Sequence, residues 1–181
     1  MRSFFKIRKG IVGVSRILDD GRRQIVAIRA PGDCVGYLEE SGNYAFEGQA
    51  LTDVEACAFD RRGFDNFAAK HSDLALATTE TLSAALRQAG QAMLVLGQLN
   101  STERVANFLV EIDTLYRDRH VHKTGLALFM TRREVADYLG LRIETVSRVL
   151  GSLKRSRIIE VAEADRIVIT DRARLRDIGK L

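Results

Sequence analysis

Over the first sixty residues the apolar positions fall in short, β-branched runs broken by glycine, proline and aspartate. Ile11-Val12-Gly13-Val14-Ser15-Arg16-Ile17-Leu18 and Gln24-Ile25-Val26-Ala27-Ile28 flank Asp19-Asp20-Gly21, a pattern that predicts two strands joined by a hairpin turn. Ala30-Pro31-Gly32-Asp33 and Ser41-Gly42-Asn43 mark further turns before the run Val54-Glu55-Ala56-Cys57-Ala58-Phe59,. Strands this short and this closely spaced suggest a small antiparallel sandwich or barrel. The segment is nevertheless short for a closed one.

From about Arg61 glycine becomes sparse and the period changes to that of a helix. Leu82, Leu86, Ala89, Met93 and Leu96 recur at alternating steps of four and three, the seam spacing of a coiled coil. The stripe alone fits two readings: a helix lying on its own domain's core, or a dimer seam. Ser101-Thr102-Glu103 offers the next helix start, followed by Val105, Phe108, Leu109, Ile112 and Leu115 on one face; the polar stretch from Tyr116 to Thr124 ends it,.

Thr131-Arg132-Arg133-Glu134 is a capping box. The threonine hydroxyl can accept from the glutamate amide while the glutamate side chain accepts from the threonine amide. The helix it starts runs to Gly140, a residue able to take the left-handed conformation of a tight helix-to-helix turn. A second helix is expected from about Arg142. Ala136, Gly140 and Val146 stand where a helix-turn-helix needs a small residue, a turn glycine and a β-branched packing residue. In the second helix Glu144, Ser147 and Arg148 share one face, opposite Val146, Val149, Leu150 and Leu153,. The runs Ile158-Ile159-Glu160-Val161 and Arg166-Ile167-Val168-Ile169, joined by Ala162-Glu163-Ala164-Asp165, read as a β-hairpin wing.

Charge sharpens this picture. Residues 1–130 carry 16 basic and 16 acidic residues, whereas residues 131–181 carry 12 basic and 8 acidic, so the whole surplus sits beside the helix-turn-helix. That is what a nucleic-acid-binding tail would show, and equally what a solvated surface can show. The basic run Lys154-Arg155-Ser156-Arg157 suits phosphate contacts. An apolar fraction of 46% is ample for a core. No apolar run approaches the ~18 residues needed to span a bilayer, and the first residues lack a secretory pattern, so a cytoplasmic protein is expected. Two cysteines, Cys34 and Cys57, make neither a disulfide framework nor, alone, a four-ligand metal site.

The stretch Leu128-Phe129-Met130-Thr131-Arg132-Arg133-Glu134-Val135-Ala136-Asp137-Tyr138-Leu139-Gly140-Leu141, continuing to Glu144-Thr145-Val146-Ser147-Arg148, closely resembles the DNA-binding domain of the CRP/FNR superfamily of bacterial transcription regulators. Its Glu-x-x-Ser-Arg pattern is similar to the FNR and FixK branches; the cyclic-AMP receptor branch has Gly where Ser147 stands. The resemblance extends upstream: Gly21 to Gly36 is similar to the family's β-roll with its Pro-Gly-Asp turn, and the helix from about Ser72 to Leu99 to its dimerisation helix. It implies an α+β fold with a partial antiparallel β-roll of cyclic-nucleotide-binding type over residues 1–70, a long dimerisation helix over 71–100 and a winged helix-turn-helix over 101–181. It further implies a homodimer that reads a TTGAT-N4-ATCAA-like palindrome, and an activator that contacts RNA polymerase. Glu144, Ser147 and Arg148 would read bases, and Thr131, Arg132, Arg142, Thr145, Lys154 and Arg155 would meet the DNA backbone. The seam would be Leu82, Leu86, Ala89, Met93 and Leu96.

The departures from the family pattern matter as much. Relatives usually begin some tens of residues before the position matching Met1, so the first β-roll strands are expected to be missing. The cyclic-AMP branch holds ribose with a Glu and phosphate with an Arg-Ser pair; Tyr37, Tyr44 and Ala45 stand at those positions, so cyclic AMP is not expected to bind in that way. Cys57 matches the β-roll ligand of FNR-type iron-sulfur clusters, while the three N-terminal cysteine ligands have no counterpart in this sequence. Cys57 therefore reads as a small buried strand residue, with cluster ligation conditional on an extension carrying more cysteines. An enzyme is the competing class, and His120-x-His122 with Asp113 and Asp118 is its one metal-like constellation, without a third ligand at helical spacing. The other alternative is a ligand-binding or protein-interaction module whose winged helix does not read DNA.

Overall fold

The structure is a computed structural model describing residues 3–36, 43–118, 126–127, 129–161 and 166–180. By their internal contacts these form two units, Met1–Leu94 and Val95–Leu181.

The first unit is built on two antiparallel three-stranded sheets. One has β1 (Ser3–Lys9) between β4 (Cys34–Val35) and β6 (Glu55–Asp60); the other has β2 (Val12–Ile17) between β3 (Arg23–Arg29) and β5 (Glu47–Ala50). The hairpin expected around Asp19-Asp20-Gly21 forms between β2 and β3, with Leu18 N–H donating to Arg22 O at 2.8 Å. The Pro-Gly-Asp turn closes because Pro31 precedes Gly32, whose φ is 97°, a value glycine adopts at no steric cost. The Asp33 carboxylate accepts from Ala30 N–H at 2.8 Å, and Gly32 N–H donates to Ile7 O at 2.9 Å, fastening the turn to β1.

The sequence pattern passes over β1, although Phe5 and Ile7 alternate there with Lys6 and Arg8. Strand β1 becomes the central strand of its sheet, because Phe4↔Phe59 and Lys6↔Cys57 bring β6 alongside on one edge and Lys6↔Cys34 brings β4 on the other. Phe4 stacks on Phe59 at 5.2 Å and meets Phe64 edge-on at 4.9 Å. That contact seats α1 (Arg61–Ala68), whose N-terminus Asp60 caps by accepting from Gly63 N–H. After a break at residues 69–71 comes the long helix α2 (Ser72–Gln98).

The second unit begins with the last turn of α2 and continues into α3 (Ser101–Asp118). The N-cap of α3 is Asn100, one residue ahead of the expected Ser-Thr-Glu start. Its side-chain oxygen accepts from Thr102 N–H at 2.9 Å and Glu103 N–H at 3.1 Å, while Glu103 accepts from Asn100 N–H at 2.9 Å. Of the expected apolar face, Val105, Phe108, Leu109 and Ile112 are fully buried, and Leu115, near the end of the helix, is half-buried. Next come β7 (Leu126–Ala127), α4 (Arg132–Leu139), α5 (Ile143–Arg155), β8 (Ile159–Val161), β9 (Arg166–Ile169) and α6 (Arg172–Gly179). The wing pairs as read, β8 against β9, and β7 adds a third strand on the other side of β9. The turn Ala162–Asp165 lies outside the described residues. Helix α6 is not foreseen by the pattern; Asp171 caps it and Leu175 is completely buried. It packs closely on α3, where a Cβ at Gly179 would lie 3.1 Å from Asn107 N.

Candidate nucleic-acid interface

The helix-turn-helix is built as its sequence dictates. Thr131 Oγ1 accepts from Glu134 N–H at 3.2 Å and Glu134 accepts from Thr131 N–H at 2.8 Å, completing the capping box. At the other end of α4, Gly140 has φ 61° and ψ 39°, the left-handed C-cap, and Leu141 N–H donates back to Ala136 O at 3.0 Å,. Ala136 and Val146, the small and β-branched members of the triple, are both buried.

Helix α5 is sharply two-faced. Val146, Val149, Leu150 and Leu153 are buried, whereas Glu144 and Arg148 are exposed and Ser147 is half-buried. The three polar side chains share the face opposite the buried one, with Glu144 and Arg148 open to solvent. Arg142, the N-cap, makes no side-chain capping bond; it is exposed, and Thr145 is half-buried beside it. Arg132, at the start of α4, reaches across the turn so that Nη1 donates to Ser147 Oγ at 3.4 Å. Thr131 is exposed at the same helix end, and Lys154 and Arg155 are exposed in the last turn of α5. These cations sit at the helix C-terminus, where the dipole favours them.

One carboxylate behind this surface is perturbed. Tyr138 O–H on α4 donates to the Glu111 carboxylate of α3, at 3.0 and 3.1 Å to its two oxygens. Desolvation raises the Glu111 pKa, and the tyrosine bond works in the opposite direction,. Glu111 nonetheless keeps solvent contact as a residue, which limits what the shift can cost. Asp113 accepts from Arg172 at 3.0 Å and pairs with Arg117 at 3.2 Å, tying α6 to α3. Asp113 is thereby accounted for structurally. His120 and His122, and the side chain of Asp118, lie outside the described residues.

In the first unit a cavity of about 1020 Å³ opens between the sheets, lined largely by apolar side chains such as Val12, Val14, Val26, Val35 and Phe46. Arg29 is the one cation in its described lining, and it donates to Gln88. At the positions matching the phosphate clamp, Tyr44 O–H donates to Ser3 O at 2.8 Å, and Ala45 has no polar side chain. Tyr37 lies outside the described residues. The described lining therefore does not fit a ribose cyclic phosphate held as in the cyclic-AMP receptor branch. Cys57 and Cys34 both pair with Lys6, one from each side of β1, so two strand spacings separate them, about 9–10 Å. Cys57 is half-buried rather than the buried strand residue its pattern suggests, and among the described residues no three metal-ligating side chains converge.

The stripe on α2 is left bare. Leu82 is 55% exposed, Leu86 and Met93 are 75% exposed, and Leu96 and Ala89 are also exposed. Among the described residues, no helix is long and apolar enough to cross a membrane. Pattern reading passes over Tyr138, because it acts through Glu111, a partner remote in sequence; a polar residue on a helix gives no period that reveals it.

Comparison with known proteins agrees with this architecture. A Crp-like helix-turn-helix domain matches residues 103–178 and a cyclic nucleotide-binding domain matches residues 1–71. The chain is 36% identical to the nitrogen fixation regulation protein FixK of Rhizobium meliloti, over 96% of this chain and 77% of that protein. It is 34% identical to the transcriptional activator protein FnrL of Cereibacter sphaeroides, over 92% of this chain and 68% of that one. FixK2 from Bradyrhizobium japonicum superimposes with a TM-score of 0.86 at 35% identity, covering 98% of this chain and 87% of the other. With the helix-turn-helix formed, its polar face uncovered and the match running through both units, the chain belongs to the CRP/FNR family of DNA-binding transcription regulators.

Proposed function

We propose that this protein is a homodimeric transcription activator that reads a TTGAT-N4-ATCAA-like inverted repeat. The observation that carries the reading is the uncovered face of α5, where Glu144, Ser147 and Arg148 stand together opposite a fully buried apolar face. Arg148 donates to guanine, Glu144 accepts from a cytosine amino group, and Ser147 meets a thymine edge. Ile143 precedes Glu144 and cannot donate to a base, which disfavours the TGTGA half-site of the cyclic-AMP branch. Thr131, Arg132, Arg142, Thr145, Lys154 and Arg155 flank this face on the side of α4 and along α5, and they supply phosphate contacts.

The bare stripe of α2 supports twofold pairing: Leu82, Leu86, Ala89, Met93 and Leu96 are the seam. Closed symmetry of this kind sets two recognition helices in successive major grooves, roughly 34 Å apart. Relatives such as FnrL carry the word activator in their names, and an activator of this family works by contacting RNA polymerase. A binding selection on random duplexes tests the reading. TTGAT half-sites in an inverted repeat are expected, with affinity falling steeply as salt rises. Recovery of TGTGA half-sites, of no palindrome, or of no salt-dependent DNA binding overturns it.

A further inference from the structure

The side chain of Arg104, on the first turn of α3, ends at three backbone carbonyls. Its Nε donates to Leu99 O at 2.8 Å, its Nη2 to Leu96 O at 2.7 Å and its Nη1 to Leu139 O at 3.1 Å. Leu96 and Leu99 belong to the C-terminal end of α2 and the link after it, and Leu139 is the last residue of α4. Two helix C-termini therefore converge on one guanidinium. Neither helix has a basic residue in its own last turn, so among the described residues the cation their dipoles favour comes from α3. The turn of the helix-turn-helix sits against the same group: a Cβ at Gly140 would lie 3.7 Å from Leu96 Cδ2 and 3.8 Å from Arg104 Nη1.

From this geometry we infer that Arg104 is a positioning residue for DNA reading, locking the turn before the recognition helix onto the last turn of the seam helix. The inference rests on the dimeric inverted-repeat reading above. A planar fork whose donors sit on three separate nitrogens reaches three carbonyls in a fixed geometry; a lysine ammonium offers its three donors from a single atom and holds the joint more loosely. A loosened joint leaves each recognition helix able to read its own half-site. It spreads the separation of the two helices, so the second half-site is engaged at a lower effective concentration.

The test uses the full chain and four duplexes: TTGAT-Nn-ATCAA with n of 3, 4 and 5, and a single half-site. The unsubstituted protein is expected to prefer one spacer at least tenfold. Arg104→Gln should bind that repeat about tenfold more weakly and discriminate the three spacers less than threefold. Its half-site affinity and salt slope should stay within about twofold, because Arg104 is engaged by carbonyls and not by phosphate. Arg104→Lys should fall between the two, and it carries the same comparison if the glutamine variant does not fold. Retained spacer discrimination in both variants overturns the inference. So does equal loss on half-site and repeat, or a flattened salt slope, which would make Arg104 a fold or phosphate residue. If the unsubstituted protein itself shows no inverted-repeat binding, the dimeric reading fails first and this inference with it.

Discussion

The two units bury their apolar residues very differently. In Val95–Leu181 the core is dense: Val105, Phe108, Leu109, Ile112, Val146, Ile158, Ile159, Ile167 and Leu175 are all buried, and among the described residues Leu96 is the one exposed large apolar side chain. In Met1–Leu94, among the described residues, only Ile7, Ile11, Val12, Ile25 and Ala30 are buried apolar side chains, while Phe5, Ile17, Val26, Phe46, Phe59, Phe67, Leu82 and Leu86 are exposed. The contrast separates surface that has finished folding from surface that still has apolar area to lose. Burial is worth about 25 cal/mol per Å², so the second unit is stabilised by its own packing. The first offers a stripe that a second copy can cover.

The largest test of that contrast is at the stripe. Leu86→Glu with Met93→Glu should give monomers by light scattering and weaken inverted-repeat binding by ~100-fold or more, the loss expected when a bivalent contact becomes monovalent. An unchanged dimer would place the seam elsewhere. Next comes the dense core. Leu109→Ala should cost about 2–5 kcal/mol in chemical denaturation, whereas Val26→Ala, at an exposed position, should cost well under half as much. Similar losses at both sites would erase the difference between the units.

At the recognition face, Arg148→Ala should cost ~1–3 kcal/mol per half-site and relax preference at the guanine. Lys154→Ala should instead weaken all sequences alike and flatten the salt slope by about one. Binding isotherms on matched and mismatched duplexes across salt concentrations separate the two behaviours. A smaller effect follows from Glu111. Its pKa is raised in the folded state, so the folded protein holds more protons than the unfolded chain between the ordinary carboxylate value and the raised one. Stability therefore falls as pH rises through that window. Tyr138→Phe removes the bond that lowers the pKa and should steepen the fall; Glu111→Gln should flatten it, read as melting temperature against pH. The smallest expected effect is none: cyclic AMP should release no heat in calorimetry and leave the melting temperature unchanged, and micromolar binding would refute the reading of the β-roll lining.

The helix-turn-helix was legible because each of its devices is local. A capping box spans four residues, a left-handed glycine acts at one, and the two-faced pattern of α5 repeats within its own length, so Thr131, Gly140 and the Val146 face carry their structure in their spacing. The hairpin at Asp19-Asp20-Gly21 was readable for the same reason. Strand β1 was passed over because a strand becomes central only when partners arrive, and β4 and β6 reach it from residues 34–35 and 55–60. Helix α6 was missed because its evidence is the buried Leu175 and the contact of Gly179 with α3, neither visible as a period.

By itself, then, the sequence determined the local elements of this protein: the turns, caps and amphipathic faces, with the polar residues that α5 carries opposite its buried side. Tertiary structure alone decided which apolar stripe stays uncovered, since Leu86 and Leu109 are equally apolar in sequence and opposite in burial. It also decided where Arg104 ends. Periodicity reports which side of an element is apolar, but what lies against that side, and which carbonyls a long side chain reaches, depends on contacts between residues far apart along the chain.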